Sequence, residues 1–555
     1  MGFFDDRICS SAFFKEPQSS SITSFLLFTF PPIFCPRTPP MSDWTSGYVA
    51  DIGYTFGYYT ELNPLRVKLA FLHAGLVPPE MGTACELGFG QGMSTNLHAA
   101  ASMVQWHGTD FNPSQASFAR ELAGIAGCGA QLFDEAFDQF CARADLPEFD
   151  YIGLHGIWSW ISDENRKTIV DFIRRKLKVG GVLYISYNTQ PGWAAMVPMR
   201  DLLTEHAQVL GSDGAGIVSR IDSALAFVDQ LLAANPLYAR ANPQVAERIK
   251  KIKEQDRHYV AHEYFNRDWQ PMAFAQMARW LEPAKLNWAC SANNLDAIDL
   301  VNLSAEQQEL LKGIPDPMFR QTTRDFCVNQ QFRKDYWVKG SRSLKPLEQA
   351  EALRALRVML VQPRADVSLK VTGSIGEANL QEAVYAPILD LLADHKIKTL
   401  AQIEQGLKTI EAGRQISFAQ ILQVIMILSA TGAVLPVQEQ EVIAKAKRSA
   451  HNLNLHLMGK ARMSNDLAYL ASPVTGGGVA VPRFHQLFML AALQGHKQPQ
   501  DWAQFVWGIL SLQGQRLVKE GKALELDEEN VQELVKQAGD CATKHLPILK
   551  ALEIV

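Results

Sequence analysis

Residues 83–94, Thr-Ala-Cys-Glu-Leu-Gly-Phe-Gly-Gln-Gly-Met-Ser, constrain the fold more than any other stretch. A short apolar run ends in Glu86, passes three glycines at alternate positions, and enters an Ala-rich segment to Met103 that predicts a helix. Strand, glycine turn and helix in that order let backbone approach a ligand closely and leave free N–H groups at the helix start. Asp110 closes a second apolar run, 104–109, where a carboxylate can accept both hydroxyls of a ribose.

The glycine spacing differs from the dinucleotide fingerprint, whose third glycine falls one residue later. Glu-Leu-Gly-Phe-Gly-Gln-Gly with its downstream acid resembles the first motif of class I S-adenosylmethionine-dependent methyltransferases. The resemblance implies that Gly88, Phe89, Gly90 and Gly92 pass the methionine moiety of S-adenosylmethionine and that Glu86 holds its amino group. It places Asp110 and Phe111 at the ribose, Asp134 and Glu135 at the adenine, and His155 at the cofactor's reacting end.

Strands alternate with helices through the same region: strands at 83–88, 104–110, 130–133, 149–156 and 182–188, with helices at 113–125 and 164–177 between them. That alternation predicts a mostly parallel sheet with ligands at the carboxyl ends of its strands. A polar helical block near 211–256 then interrupts the pattern; 258–265 reads as the sixth strand and 286–291 as the seventh. The expected fold is α/β: a Rossmann-like, seven-stranded class I methyltransferase core with a helical insertion, followed by a mostly α, winged-helix-like region. The domains are 1–40 extension, 41–295 core with 211–256 as helical regulatory insertion, 296–345 linker, 346–440 winged-helix-like, and 441–555 helical.

Ala261-His262-Glu263-Tyr264-Phe265-Asn266-Arg267-Asp268-Trp269-Gln270-Pro271, Leu154–Trp160, and Arg324-Asp325-Phe326-Cys327 with Phe332-Arg333-Lys334-Asp335 are similar to methyltransferases carrying the methyltransferase regulatory domain. Rickettsial-type members of that group modify lysines of an outer-membrane protein, so the resemblance implies methylation of protein lysine ε-amines. The tyrosine-rich 53–59 departs from those members, and methylation of a small molecule or cell-surface glycan stays open as the alternative.

Methyl transfer is an in-line displacement that needs alignment and exclusion of water. Aromatic faces suit a sulfonium and a methylated ammonium. The candidates for that acceptor pocket are Tyr58, Tyr59, His155, Trp158, Trp160, Tyr187, Asn188 and Trp193. His155 is either a general base or a histidine bonded to loop backbone. The tyrosines of 48–59 are either a lid or a packed leading segment. His258 and His262, four apart, share one face if the segment is a strand, and no acidic third ligand is evident beside them there, so no metal site is expected.

A net charge of −5 argues against a nucleic-acid binder working through bulk electrostatics. Eight scattered cysteines without Cys-x-x-Cys indicate neither zinc nor a disulfide framework and suit a reducing cytoplasm. The apolar run 22–30 is too short to span a bilayer, and Asp5 and Asp6 stand where a signal peptide needs basic residues. Residues 1–40 are expected to be an unfolded upstream extension. No stable membrane insertion is expected; a protein substrate is, and a homodimer is compatible with the size of the non-core regions.

Overall fold

The computed structural model describes residues 45, 47–50, 52–212 and 214–555. The expected extension, residues 1–40, lies outside them. At the centre is a seven-stranded sheet ordered β3-β2-β1-β4-β5-β7-β6, made of β1 (Thr83–Leu87), β2 (Gln105–Thr109), β3 (Gln131–Phe133), β4 (Phe149–Leu154), β5 (Leu177–Asn188), β6 (Leu286–Ser291) and β7 (Phe332–Lys339). β1 to β5 pair in parallel, and β7 runs antiparallel between β5 and β6. The interior strands bury both faces, with Cys85, Leu87, Ile152, Leu154, Leu183 and Ile185 fully enclosed, as a sheet covered by helices requires.

The sixth strand expected at 258–265 is a helix, Arg257–Tyr264. Asp256 caps it, accepting from the N–H groups of His258 and Tyr259, and Val260, Ala261 and Tyr264 are its buried side. The N-cap and the i, i+3/i+4 spacing outweigh the aromatic, β-branched composition that suggested a strand. The strand expected as seventh is β6. The sheet closes with β7, inside the stretch 296–345 expected as linker; the antiparallel ladder from Val182↔Val338 to Asn188↔Phe332 makes it integral to the core.

Between β5 and β6 the insertion forms helices Ile217–Ala233, Leu237–Ala241 and Gln244–Glu254. They share a small core (Ile221, Leu225, Val228, Ile249, Ile252) with Trp193, Tyr264 and Phe265. Beyond 340, a three-stranded sheet of 357–360, 398–399 and 434–436 is flanked by helices Glu382–Leu392, Leu400–Thr409 and Phe418–Ala430. The last of these helices buries Val424 through Ser429.

Helix α1 (Pro64–His73) lends Leu69 and Leu72 to the core of that module. Helix α2 (Met93–Ala101), which follows the glycine turn, is buried at every residue. Helix α3 (Pro113–Ala126) covers one side of it, while the Gln440–Lys460 helix and the hairpin 469–472/477–480 cover another through Leu453, Leu457, Met458, Leu470 and Val479. Residues 473–476 form the turn of that hairpin. Among the described residues no helix is long and apolar enough to cross a membrane.

Candidate active site

The carboxyl ends of β1, β2 and β4 meet at one edge of the sheet. Gly88, Gly90 and Gly92 all have positive φ (73°, 58° and 69°), a conformation that costs an L side chain and is free to glycine. They are not equivalent. A Cβ on Gly88 would collide with Ile157, and one on Gly92 would sit 2.5 Å from the Cβ of Ala119, so both close the turn against neighbours. A Cβ on Gly90 would find Tyr54 at 3.7 Å, which makes Gly90 the glycine that faces the site.

The loop is pinned from the second strand. Thr109 O accepts from the N–H groups of Gly88 and Phe89. Asp110 accepts from Gly90 N–H (2.8 Å) and Asn112 N–H (3.0 Å), linking the glycine turn to the start of α3. Glu86, buried at the end of β1, accepts from the Thr95 hydroxyl of α2. Burial raises Asp110 to about 7 and Glu86 to about 8; the Asp110 carboxylate adds to the rise at Glu86, and Asp134 adds to the rise at Asp110. A pair of buried acids with no cation of its own fits a ligand that brings an ammonium and a diol, as the methionine amino group and ribose of S-adenosylmethionine do.

The tyrosine-rich leading segment lies over this edge. Val49 N–H donates to Asn266 Oδ1, Tyr59 N–H donates to Ser94 Oγ, and ring nitrogens of His258 and His262 meet Gly53 O and Ile52 O at 3.0 Å each. The Arg257–Tyr264 helix therefore fastens the segment down. Tyr48 packs edge-on against Phe111 (5.6 Å) and near His262 (5.3 Å), and Tyr54 edge-on against His262 (5.0 Å). Tyr59 stacks on His155 at 3.5 Å, and His155 Nδ1 lies 2.7 Å from the Tyr184 hydroxyl. Burial drops His155 to about 3, leaving a neutral imidazole with little affinity for a proton.

Several expected residues are placed elsewhere. Tyr58 follows the opposite face of the extended segment from Tyr59 and packs on His98 and Tyr469 of the C-terminal hairpin. Trp158 is wholly buried in the sheet core, its indole N–H toward Met272 Sδ, and Trp160 donates to Glu263 O. Tyr187 donates to Asp335 Oδ2 within a buried charge cluster. Trp193 lies under the Arg248 guanidinium, 3.7 Å from its ring centre. Phe89 turns into a small core with Ala116, Ala119 and Leu132. Glu135 pairs with Arg143 at 2.7 Å, while Asp134 stays exposed at the end of β3, close enough to raise Asp110. Asn188 is buried at the end of β5 with its Nδ2 unpartnered.

Sequence reasoning offered Tyr48 and Tyr54 only as part of a lid or a packed leading segment, and it missed Tyr184, Tyr259 and Glu263 as neighbours of this edge. Helical spacing held the signal for two of them: Tyr259 and Glu263 are four apart, as are His258 and His262, so each pair shares a face.

Known proteins place this architecture. A family model described as a predicted methyltransferase regulatory domain matches residues 256–339. An uncharacterised protein of Synechocystis sp. is 42% identical over 516 residues, spanning 92% of this chain and 99% of that one. The chain belongs to the methyltransferases that carry this regulatory domain. The structure of PKMT2 from Rickettsia typhi in complex with AdoHcy matches with a TM-score of 0.64 at 17% identity, over 89% of this methyltransferase and 98% of that chain. An uncharacterised Rickettsia prowazekii protein is 28% identical over 194 residues, 34% of this chain and 76% of its own. The matched regulatory segment begins where the helical block 211–256 ends, and comprises the Arg257–Tyr264 helix, β6 and β7.

Two outcomes test the cofactor edge. Gly90→Trp, which fills the space before Tyr54, is expected to abolish S-adenosylhomocysteine binding in calorimetry while leaving the melting transition in place. The second concerns pH. Glu86 and Asp110 are raised above their ordinary values, so their contribution to stability is fully present below about pH 4 and is lost as pH rises through about 7 to 8. A cationic amino group at Glu86 favours the ionised form. S-adenosylhomocysteine should therefore raise the melting temperature more at pH 8 than at pH 6, and equal shifts would count against this placement.

Proposed function

We propose that this methyltransferase transfers methyl groups from S-adenosylmethionine to lysine ε-amines of a protein. The observation that carries it is the cluster of rings beside the glycine turn: Tyr54 lies before Gly90, Tyr48 packs against Phe111 and His262, and Tyr59 stacks on His155. Aromatic faces contribute about 0.5–2 kcal/mol per contact to a cation and exclude water from the reacting groups.

S-adenosylmethionine supplies the methyl group as a sulfonium. The residues of this chain do the rest: Glu86 and Asp110 bind and orient, Gly90 admits the ligand to the turn, and Tyr59, held between His155 and Ser94, walls the reacting end. His155, neutral and bonded to Tyr184, is suited to positioning rather than to carrying a proton.

Incubation with methyl-labelled S-adenosylmethionine and cell-envelope fractions tests the proposal. Label recovered as methyllysine in protein supports it. Label on a small product or glycan replaces the acceptor, and no transfer to any fraction overturns the reading.

A further inference from the structure

Glu263 is a carboxyl without a partner. It sits on the Arg257–Tyr264 helix, whose neighbouring face is bound through His258 and His262 to the leading segment, and its own backbone carbonyl is held by the Trp160 indole. Its position is thus fixed from two sides. Its side chain makes no hydrogen bond or ion pair among the described residues.

The charges and hydroxyls around it come from three elements. Tyr48, Tyr54 and Tyr59 of the leading segment each sense its carboxylate, as do Tyr259 and Tyr264 of its own helix. Arg248, on the Gln244–Glu254 helix, is the one cation that acts on it. That guanidinium is engaged elsewhere, lying over Trp193 and donating to Gln331 at 2.8 Å. Burial raises Glu263 to about 7, Arg248 offsetting only part of the rise. Tyr48 packs against Phe111, the neighbour of Asp110, at 5.6 Å and against His262, the neighbour of Glu263, at 5.3 Å, so the ribose side of the cofactor edge and the helix that carries Glu263 flank the same ring.

We propose that Glu263 receives the ammonium of the methyl acceptor in a compartment walled by Tyr48, Tyr54, Tyr59 and Tyr259, and takes the proton that the amine must lose before it can be methylated. The acceptor class this implies is an unhindered alkylamine that arrives as a cation. The assignment rests on the methyltransferase reading and deepens it. The balance is simple. One N–H bond of the ammonium breaks and its proton passes to the Glu263 carboxylate, leaving the lone pair on nitrogen. That pair forms the new N–C bond to the methyl carbon as the C–S electrons return to sulfur. An ammonium in water holds its proton to about 10.4, but an aromatic, partly desolvated site beside a sulfonium lowers that value toward the carboxyl's.

Glu263→Gln keeps size and removes the charge. The test uses S-adenosylhomocysteine and an analogue in which nitrogen replaces sulfur and carries a 3-aminopropyl chain, so that the ligand places its own ammonium on the acceptor side. The unaltered protein should bind the aminopropyl probe at least about tenfold more tightly than S-adenosylhomocysteine, as a charge-assisted bond allows. Glu263→Gln should bind S-adenosylhomocysteine unchanged and lose the preference. With an alkylamine-bearing acceptor, its kcat/KM should fall by about 100-fold or more, while S-adenosylhomocysteine binding keeps the pH dependence that Glu86 and Asp110 give it.

An equal probe preference in both proteins overturns the assignment, and so does an unaltered protein that binds S-adenosylhomocysteine without preferring the probe. If the unaltered protein binds neither ligand, the methyltransferase reading fails and the assignment with it. Should Glu263→Gln lose S-adenosylhomocysteine itself, Glu263→Asp, which keeps the charge on a shorter arm, decides: a weakened preference supports the proposal and an unchanged one overturns it.

Discussion

A chain ending at Gly340 is expected not to fold. Its seven strands would all be present, yet the helix that presents the glycine turn would lose one wall. Every residue of α2 is buried, and Met93, Leu97, Ala100 and Ala101 share their core with Leu453, Leu457, Met458, Leu470 and Val479 of the C-terminal region. Polar contacts follow the same seam: Asn63 Nδ2 donates to Thr475 O at 2.9 Å, and Gln438 Nε2 donates to Ala101 O at 2.8 Å. On another side, α1 would expose Leu69 and Leu72, which pack with Val358, Ile388 and Ile425.

Exposing several such side chains costs about 1.5–3 kcal/mol each, against a total stability of about 5–15 kcal/mol for a domain. The expected result is loss of a cooperative melting transition and of S-adenosylhomocysteine binding. A milder version reads the same seam: Leu453→Ala should destabilise the full chain by about 2–5 kcal/mol. A soluble 1–340 fragment that melts sharply and binds S-adenosylhomocysteine would show the C-terminal region to be an independent attachment. Local sequence pattern could not show this dependence, because the contacts join distant parts of the chain: Gln438 and Ala101 stand 337 positions apart, and Asn63 and Thr475 stand 412 apart.

What was legible followed from local pattern. The turn at Gly88, Gly90 and Gly92 needs glycine for backbone reasons, and Asp110 at the end of a short apolar run identifies itself by spacing; the structure brings these residues together. The strand-helix alternation up to β5 reads directly for the same reason. The failures came where tertiary contacts decide. The Arg257–Tyr264 helix is short and rich in aromatics, so composition favoured a strand and only the Asp256 cap and the four-residue spacings spoke for a helix. β7 is polar in sequence, Phe-Arg-Lys-Asp-Tyr-Trp-Val-Lys, because its charged residues are neutralised by partners: Lys334 by Glu61 at 2.7 Å, far away in the chain, and Arg333 by Asp325 and Asp335, near it in sequence but brought together only by the fold. Tyr58 and Tyr59 differ by one position and face opposite ways, which fixes one in the site and one on the hairpin. Nothing in local sequence says which.

Arg333→Ala is expected to be among the most damaging single substitutions in the sheet. Arg333 is buried on β7 with Asp325 at 2.5 Å and Asp335 at 2.8 Å, all three side chains nearly inaccessible. Asp335 also accepts from the Tyr187 hydroxyl at 3.2 Å and the Trp288 indole at 2.9 Å, so the cluster ties β5, β6 and β7 together. Removing the guanidinium leaves two buried carboxyls without a cation, a loss of about 3–5 kcal/mol for a broken buried pair. Burial already raises Asp325 to about 6 even with Arg333 beside it. Without that cation Asp325 rises further above its unfolded value, and a raised carboxyl contributes stability at low pH that is lost as pH climbs through its folded value. The variant should therefore lie closest to the unaltered protein near pH 5 and fall behind it progressively toward pH 8, as measured by denaturant unfolding at each pH. Adding Asp325→Asn and Asp335→Asn to Arg333→Met removes all three charges, and this triple variant should lose the pH dependence and recover part of the stability. A constant difference between Arg333→Ala and the unaltered protein from pH 5 to pH 8 would mean that the loss comes from packing alone and that the two carboxylates find other partners when the guanidinium is gone.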